Sequence, residues 1–326
     1  MRVLVTGGCG FIGSNFIKLL FHTFCEESIF EDNLLNKFQR RDGAKLRVMN
    51  VDCLTYAGNL NNVSMMEKHE GYEFSKVDIR DSSRISEIFQ SFEPEFVVHF
   101  AAESHVDRSI DSGNIFVETN VLGTQVLLEC SKEVGVKRFI HISTDEVYGS
   151  TETGSFSEKD ILNPSSPYAA SKASSDLMVL SHYKTYETPV IITRCTNNYG
   201  KNQHTEKLLP KIITFAKDGE SIPIYGDGKN IRDWLHVLDH CSAILLAMEQ
   251  GIVGEIYNIA AQDERNNLEV LSSVFSVLGK EEKFHFVKDR AGHDWRYSLD
   301  DRKIRKLGWS PKIDFDTGIE HIANHY

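Results

Sequence analysis

The sequence predicts an α/β fold: a doubly wound parallel sheet joined to a smaller mixed α/β lobe. Three observations carry that expectation. Short apolar runs ending in polar residues recur as far as Thr193, the pattern of strands buried on both faces. Helical segments separate those runs, and strands alternating with helices build parallel sheets. The first run, Arg2 to Thr6, passes straight into a glycine-rich turn.

That turn is Gly7-Gly8-Cys9-Gly10-Phe11-Ile12-Gly13, followed by a helical pattern from Phe16 to Phe21. Gly8, Gly10 and Gly13 satisfy G-x-G-x-x-G in its strand-turn-helix setting, where backbone can approach a pyrophosphate at a helix N-terminus. The acidic partner of such a turn is expected about 20 residues later. Here the next strand, Leu46 to Val51, ends at Asp52, well beyond that spacing. The polar segment from Phe24 to Lys45 therefore reads as a lengthened surface connection. Asp52 would accept hydrogen bonds from adenosine ribose hydroxyls and repel a 2'-phosphate, which points to NAD rather than NADP. The first part of the chain is thus expected to be a Rossmann-like NAD-binding domain.

The rhythm continues through Tyr72 to Ile79, a helix over about Ser82 to Phe92, and the strand Phe96 to Phe100 running into Ala101-Ala102-Glu103. The small Ala101-Ala102 pair lets a flat cofactor lie against backbone. His99, inside an apolar run, reads as a satisfied buried histidine, whereas His105 lies just past the strand end, within reach of a substrate. A helix over Val121 to Cys130 and a strand from Phe139 to Ser143 follow. Function sits at the carboxyl ends of such strands, and this one delivers Thr144, Asp145 and Glu146. Tyr168 and Lys172 come next at i, i+4, on one face of a helix reaching about Tyr186, close enough for the ammonium to depress the phenol pKa.

After a strand over Pro189 to Thr193, loops rich in Asn, Lys, Gly and Pro mark a second lobe. The expected division is residues 1–196 for the cofactor and 197–326 mainly for substrate. A helix from Asp233 to Met248 and a strand from Glu255 to Ile259 return to the first domain. Arg232, Asn267, Arg290 and His293 supply donors in that lobe for phosphate oxygens and a base edge.

Composition narrows the function classes. With 326 residues, 41% of them hydrophobic, and seven prolines, the chain can bury a sizeable core. A net charge of -11 argues against nucleic acid or an anionic membrane as the main partner. The six cysteines (Cys9, Cys25, Cys53, Cys130, Cys195, Cys241) form no C-x-x-C pair, so neither a metal site nor a disulfide framework is expected, and a reducing cytoplasm suits them. The first strand begins at Arg2, and no apolar run approaches the roughly 20 residues of a membrane span, so a cytoplasmic protein is expected.

Tyr168 can take a hydroxyl proton while a nicotinamide takes hydride from the same carbon, with Lys172 lowering the phenol pKa and holding a ribose. Thr144 can share a hydrogen bond with that hydroxyl. Asp145 and Glu146 add two carboxylates. One can abstract a proton beside the new carbonyl, and the other, kept protonated by burial or by like-charge repulsion, can donate to a departing hydroxyl. That is an elimination of water.

Thr6 to Gly13, Asp52-Cys-Leu-Thr-Tyr-Ala-Gly-Asn59, Ala101-Ala-Glu-Ser-His105, Ser143-Thr-Asp-Glu-Val-Tyr-Gly149, Tyr168-Ala-Ala-Ser-Lys172, Arg194-Cys-Thr-Asn-Asn-Tyr-Gly200 and Asp289-Arg-Ala-Gly-His293 together resemble the extended short-chain dehydrogenase/reductases. Within them the chain most resembles the dTDP-glucose 4,6-dehydratases. The resemblance spans essentially the whole chain. It implies oxidation at glucose C4 with Tyr168 as base, removal of the C5 proton by Glu146, protonation of the leaving C6 hydroxyl by Asp145, and hydride return to C6. The product would be a 4-keto-6-deoxy sugar nucleotide, an intermediate for deoxysugars such as rhamnose. It also implies that Gly7, Gly10, Phe11, Ile12, Gly13, Asp52, Thr55, Asp78, Ile79, Ala101, Ala102, Thr119, Tyr168, Lys172 and Asn198 hold NAD. Ser104, Thr144, Asn197, Lys207, Leu208, Pro223, Tyr225, Arg232, Asn267, Arg290 and His293 would hold the nucleotide sugar. A homodimer is the family expectation. Three alternatives stay open: a dehydratase for UDP-glucose or another nucleotide hexose, a nucleotide-sugar 4-epimerase or decarboxylase with no use for Glu146, and an idle NAD-binding module.

Overall fold

The computed structural model describes residues 1–21, 45–289, 292–323 and 325–326. Arg290, Cys25 and nearly all of the segment 24–45 lie outside the described residues. Seven strands form the main sheet: β1 (Arg2–Thr6), β2 (Arg47–Asp52), β3 (Tyr72–Lys76), β4 (Phe96–His99), β5 (Arg138–Thr144), β6 (Val190–Cys195) and, from far along the chain, β10 (Ile256–Ile259). Their order is β10-β6-β5-β4-β1-β2-β3, with every neighbouring pair parallel. The order reverses at β1, where Val5 stands opposite Asn50 of β2 on one side and Val98 of β4 on the other. Connections leave β1 and β4 in opposite directions, opening a crevice at their carboxyl ends, the place where such sheets bind ligands.

Both faces are covered. Helices Phe11–Leu20 and Val237–Gln250 pack on one, burying Phe16, Ile17 and Leu20 with Ile244 and Met248. Helices Ser82–Phe92, Thr124–Val134 and Pro167–Tyr186 cover the other through Ile85, Phe89, Leu127, Leu128 and Val179. A fully covered parallel sheet explains why its strands read as apolar runs. The second lobe holds two small sheets. β7 (Asn197–Tyr199), β9 (Ile231–His236) and β11 (Glu264–Asn266) form one, and β8 (Ile222–Tyr225) pairs with β12 (Phe284–Val287) in the other.

Several boundaries differ from the sequence expectation, each for a tertiary reason. The first helix starts at Phe11 rather than Phe16, because its N-terminus has to meet the glycine turn. Asp233 to His236 is strand rather than helix: Trp234 pairs with Asn197 and Asp233 with Glu264, and the helix begins at Val237. The helix expected from Val121 is longer than that: a π-helical stretch over Val117–Gly123 runs directly into the α-helix Thr124–Val134. There Gly123 rests on Ile79; an added Cβ would fall 2.5 Å from its Cδ1.

Pro167–Tyr186 is the helix that matters most for the site. Ser166 caps it, accepting from the Ala169 N–H at 3.1 Å, and Pro167 occupies the first turn, where a missing N–H is harmless. Its buried face is built from small and polar residues, Ala169, Ser171, Ala173 and Ser175, so the helix lies close to the sheet and brings Tyr168 and Lys172 against the end of β5. Among the described residues no helix is long and apolar enough to cross a membrane, and no group of His, Cys, Asp or Glu could hold a metal ion.

Candidate active site

The crevice at the carboxyl ends of β1, β4, β5 and β6 is a cavity of about 620 Å3. Gly7 opens it with a φ of +69°, a conformation glycine adopts freely, and donates its N–H to Val51 O at 2.9 Å. A Cβ on Gly7 would lie 2.7 Å from the Ala101 nitrogen, so nothing larger fits between the turn and β4. Gly7→Ala is therefore expected to destabilise the fold by about 2 kcal/mol or more, read as a lowered Tm. At the end of β2, Asp52 accepts from the Cys9 N–H at 2.9 Å and the Leu54 N–H at 2.8 Å. Each of its oxygens keeps a lone pair for a further donor. Burial raises its pKa, and those two backbone bonds pull it down.

β5 ends in Thr144, which caps a short turn over Asp145–Tyr148. Its hydroxyl donates to Asp145 Oδ1 at 3.1 Å and accepts from the Glu146 N–H at 3.3 Å. Asp145 is only 3% exposed, and burial, then the Glu146 charge, push its carboxyl up to about 8; the Thr144 hydrogen bond and Arg232 oppose this. That direction favours the protonated form of Asp145, beside a second carboxylate on Glu146. Tyr168 is buried on the same wall, with its ring centroid 6.3 Å from that of Phe116.

One sequence expectation is corrected here. Lys172 was to depress the Tyr168 phenol, yet the phenol is pushed well above its ordinary value by burial and by the charge of Glu146, with Cys195 and Asp145 adding to it. The lysine amine donates to Ile142 O at 2.7 Å. Burial brings Lys172 down to about 8, against the supporting charge of Asp176.

Of the residues singled out from the sequence, the described structure brings most to one cavity. Gly7, Gly10, Phe11, Ile12, Gly13, Asp52, Thr55, Asp78, Ile79, Ala101, Ala102 and Thr119 line it, together with Thr144, Asp145, Glu146, Tyr168, Lys172, Asn197, Asn198, Ser104 and Lys207. Leu208, Pro223, Tyr225, Arg232, Asn267 and His293 do not line it. Arg232 is nonetheless close enough to act on the Asp145 charge, held by the backbone carbonyls of Ile231, Asp294 and Trp295 and stacked 4.2 Å over the Tyr297 ring. His293 bonds Asp289 at 2.6 Å, and Tyr225 is exposed. His99 is the satisfied core histidine expected, joined to Thr6 at 2.8 Å and Thr124 at 2.9 Å. His105 caps a short helix and sits 3.5 Å from Glu206.

Sequence reasoning missed Cys195 and Thr196 on the wall of the cavity, because the strand ending there was read two residues short. It also missed Tyr56, clasped 3.7 Å from Arg108, and His325 and Tyr326, which line the cavity from the far end of the chain. For Cys195 the strand-end rule was a usable signal; for His325 and Tyr326 no local pattern exists.

Comparison with known proteins agrees with this geometry. The family model described as GDP-mannose 4,6 dehydratase matches residues 4–322. The chain belongs to the nucleotide-sugar 4,6-dehydratases of the extended short-chain dehydrogenase/reductases. This dehydratase is 43% identical over 327 residues to the low-salt glycan biosynthesis protein Agl12 of Haloferax volcanii, covering 100% of this chain and 98% of that one. It is 42% identical over 344 residues to a dTDP-glucose 4,6-dehydratase of Xanthomonas campestris pv. campestris strain B100, covering 99% and 92%. Among solved structures it superposes with a TM-score of 0.91 on DesIV, a dTDP-glucose 4,6-dehydratase from Streptomyces venezuelae with NAD and TYD bound, at 44% identity over 100% of this chain and 97% of that chain.

Proposed function

We propose that the protein is a dTDP-glucose 4,6-dehydratase: it oxidises C4, eliminates water across C5 and C6, and yields dTDP-4-keto-6-deoxyglucose. The observation that carries this reading is the pair of adjacent carboxylates, Asp145 and Glu146, at the end of β5 in the cavity that holds Tyr168, with Asp145 buried and its carboxyl pushed up. NAD is the cofactor, and the residues present fit it: a glycine turn that admits no Cβ against Ala101, and Asp52 with lone pairs to spare for ribose hydroxyls. When bound, NAD accepts hydride from the sugar and later returns it.

Tyr168 takes the C4 hydroxyl proton, with Thr144 sharing a hydrogen bond to that oxygen. A phenol with a raised pKa is a strong base once ionised, so its ionisation needs positive charge in the loaded site, which the oxidised cofactor would supply and the Lys172 ammonium on the same cavity wall would support. The 4-keto group acidifies C5, Glu146 removes that proton, and Asp145 protonates the C6 oxygen as it leaves. Arg232 lies near this pair and restrains the rise in the Asp145 pKa. We take residues 1–196 with the return at about 233–260 as the cofactor unit, and the remaining lobe as the nucleotide-sugar unit, with Asn267 and His293 among its donors.

A pH dependence follows with a definite sign. Asp145 must be protonated to donate, and its carboxyl titrates at about 8, so the elimination step is expected to hold below that pH and fall above it. Stopped-flow measurement of NADH decay across pH 6–10 checks this; an elimination step that rises through pH 8 contradicts the role of Asp145. The reading includes a homodimer. Val117, Leu122 and Leu177 are each more than half exposed on the surface formed by the π-helical stretch and the Pro167–Tyr186 helix, an apolar face suited to a second copy. Leu177→Glu is expected to convert dimer to monomer in light scattering; a wild-type chain that is already monomeric contradicts it.

The nucleotide is tested by comparing dTDP-glucose with UDP-glucose at equal concentration. Faster turnover of dTDP-glucose supports the assignment, and preference for UDP-glucose moves it to that substrate.

A further inference from the structure

Behind Lys172 lies a buried chain of ionisable groups that the proposed chemistry does not use. His141 on β5 sets its Nε2 3.5 Å from Lys172 Nζ, 3.1 Å from Ser175 Oγ and 3.4 Å from Asp176 Oδ1. Asp176, one helical turn past Lys172, accepts from Arg194 Nε at 2.8 Å through its other oxygen. Arg194 in turn donates to the Tyr148 hydroxyl at 2.7 Å, and Tyr148 donates to Asn258 at 2.9 Å. His141 and Asp176 are wholly buried, and Lys172 and Arg194 are nearly so. Apolar side chains of similar volume would fill such a space at least as stably, so stability alone does not account for these groups.

Charge decides what they do. A buried amine tends to shed its proton unless a counter-charge is at hand. The groups facing Lys172 from the packed elements are His99 of β4, His141 of β5, Cys195 of β6 and Asp176 of its own helix. Burial and the Lys172 charge hold His141 down to about 4, and burial drives His99 well below its ordinary value, so both imidazoles are neutral at pH 7. The Cys195 thiol is pushed up and stays protonated. Asp176 is held at about 2 by Arg194 and His141 in spite of its burial, so it carries a full negative charge.

We propose that Asp176 is a positioning residue whose negative charge, set beside the neutral imidazole of His141, keeps the Lys172 amine protonated and aimed at the end of β5. The inference rests on the reading of Lys172 as the partner of Tyr168, but its test does not need turnover. In NAD-loaded protein without substrate, lysine Nζ resonances are titrated by NMR, with Lys172 assigned by its absence in Lys172→Met. Asp176→Asn is expected to lower the Lys172 midpoint by about 1 pH unit or more. His141→Leu should lower it as well by removing a polar neighbour of the ammonium, whereas His141→Gln, which keeps an acceptor there, should retain most of it.

A merely structural role would lower Tm without moving that midpoint. If Asp176→Asn does not fold because Arg194 is left unpaired, the His141 pair carries the test. An unchanged or raised midpoint in folded Asp176→Asn, or in His141→Leu, overturns the proposal. A wild-type protein that binds NAD but never reduces it with a nucleotide sugar would contradict the proposed function and leave the titration result standing.

Discussion

Tyr168→Phe is expected to remove the first step of the reaction, lowering the rate of C4 oxidation by about 100- to 10,000-fold, the range associated with a positioned acid-base group. Tyr168 is the phenol of the cavity wall that shares a hydrogen bond with Thr144. The ring contact with Phe116 survives the change, so the fold should survive too. Stopped-flow absorbance with saturating dTDP-glucose should show no transient NADH, while thermal melting and NAD binding stay near wild type. Normal transient reduction would remove Tyr168 from the mechanism.

Glu146→Gln should fail later and look different. Oxidation at C4 needs only Tyr168, Thr144 and Lys172, so NADH should still form. Elimination, with the C5 base gone, is expected to slow by a comparable 100- to 10,000-fold, leaving reduced cofactor and 4-keto sugar trapped together. Removing the Glu146 charge also relieves part of the upward pressure on Asp145 and Tyr168, so the oxidation step should keep or gain rate at neutral pH. Absorbance that rises and then persists, with no 6-deoxy product, is the expected signature. Unchanged product formation would remove Glu146, and loss of both phases would place it in the oxidation instead.

How much of this was legible in the sequence depends on how local the cause is. The glycine turn, the strand ending at Asp52 and the helix carrying Tyr168 and Lys172 were readable because each rests on neighbours in the chain: a doubly buried strand, a turn without side chains, a one-turn spacing. Asp52 was found although its distance from Gly13 departs from the usual one, because the strand pattern before it outweighed the count. β9 was misread as helix because only its partners Asn197–Tyr199 and Glu264–Asn266, both remote in sequence, make it a strand.

The electrostatics were legible in part. That Asp145 or Glu146 should stay protonated followed from two adjacent carboxylates at a buried strand end; the resemblance gave that part to Asp145, the carboxyl that burial pushes up. The orientation of Lys172 toward Ile142, and the buried Asp176-Arg194 pair behind it, needed the packed helix and sheet. Arg232 was singled out as a phosphate donor, but its place beside the Asp145 carboxyl comes from β9 running back to the end of β5, which no local pattern announces.

The central claim is that the paired carboxylates make this a dehydratase. Mass spectrometry of purified protein incubated with dTDP-glucose, without added NAD, tests it most directly. Loss of one water from the sugar nucleotide, with NAD still oxidised at the end, is the predicted result. An unchanged mass, whether from an epimer or from untouched substrate, would contradict it.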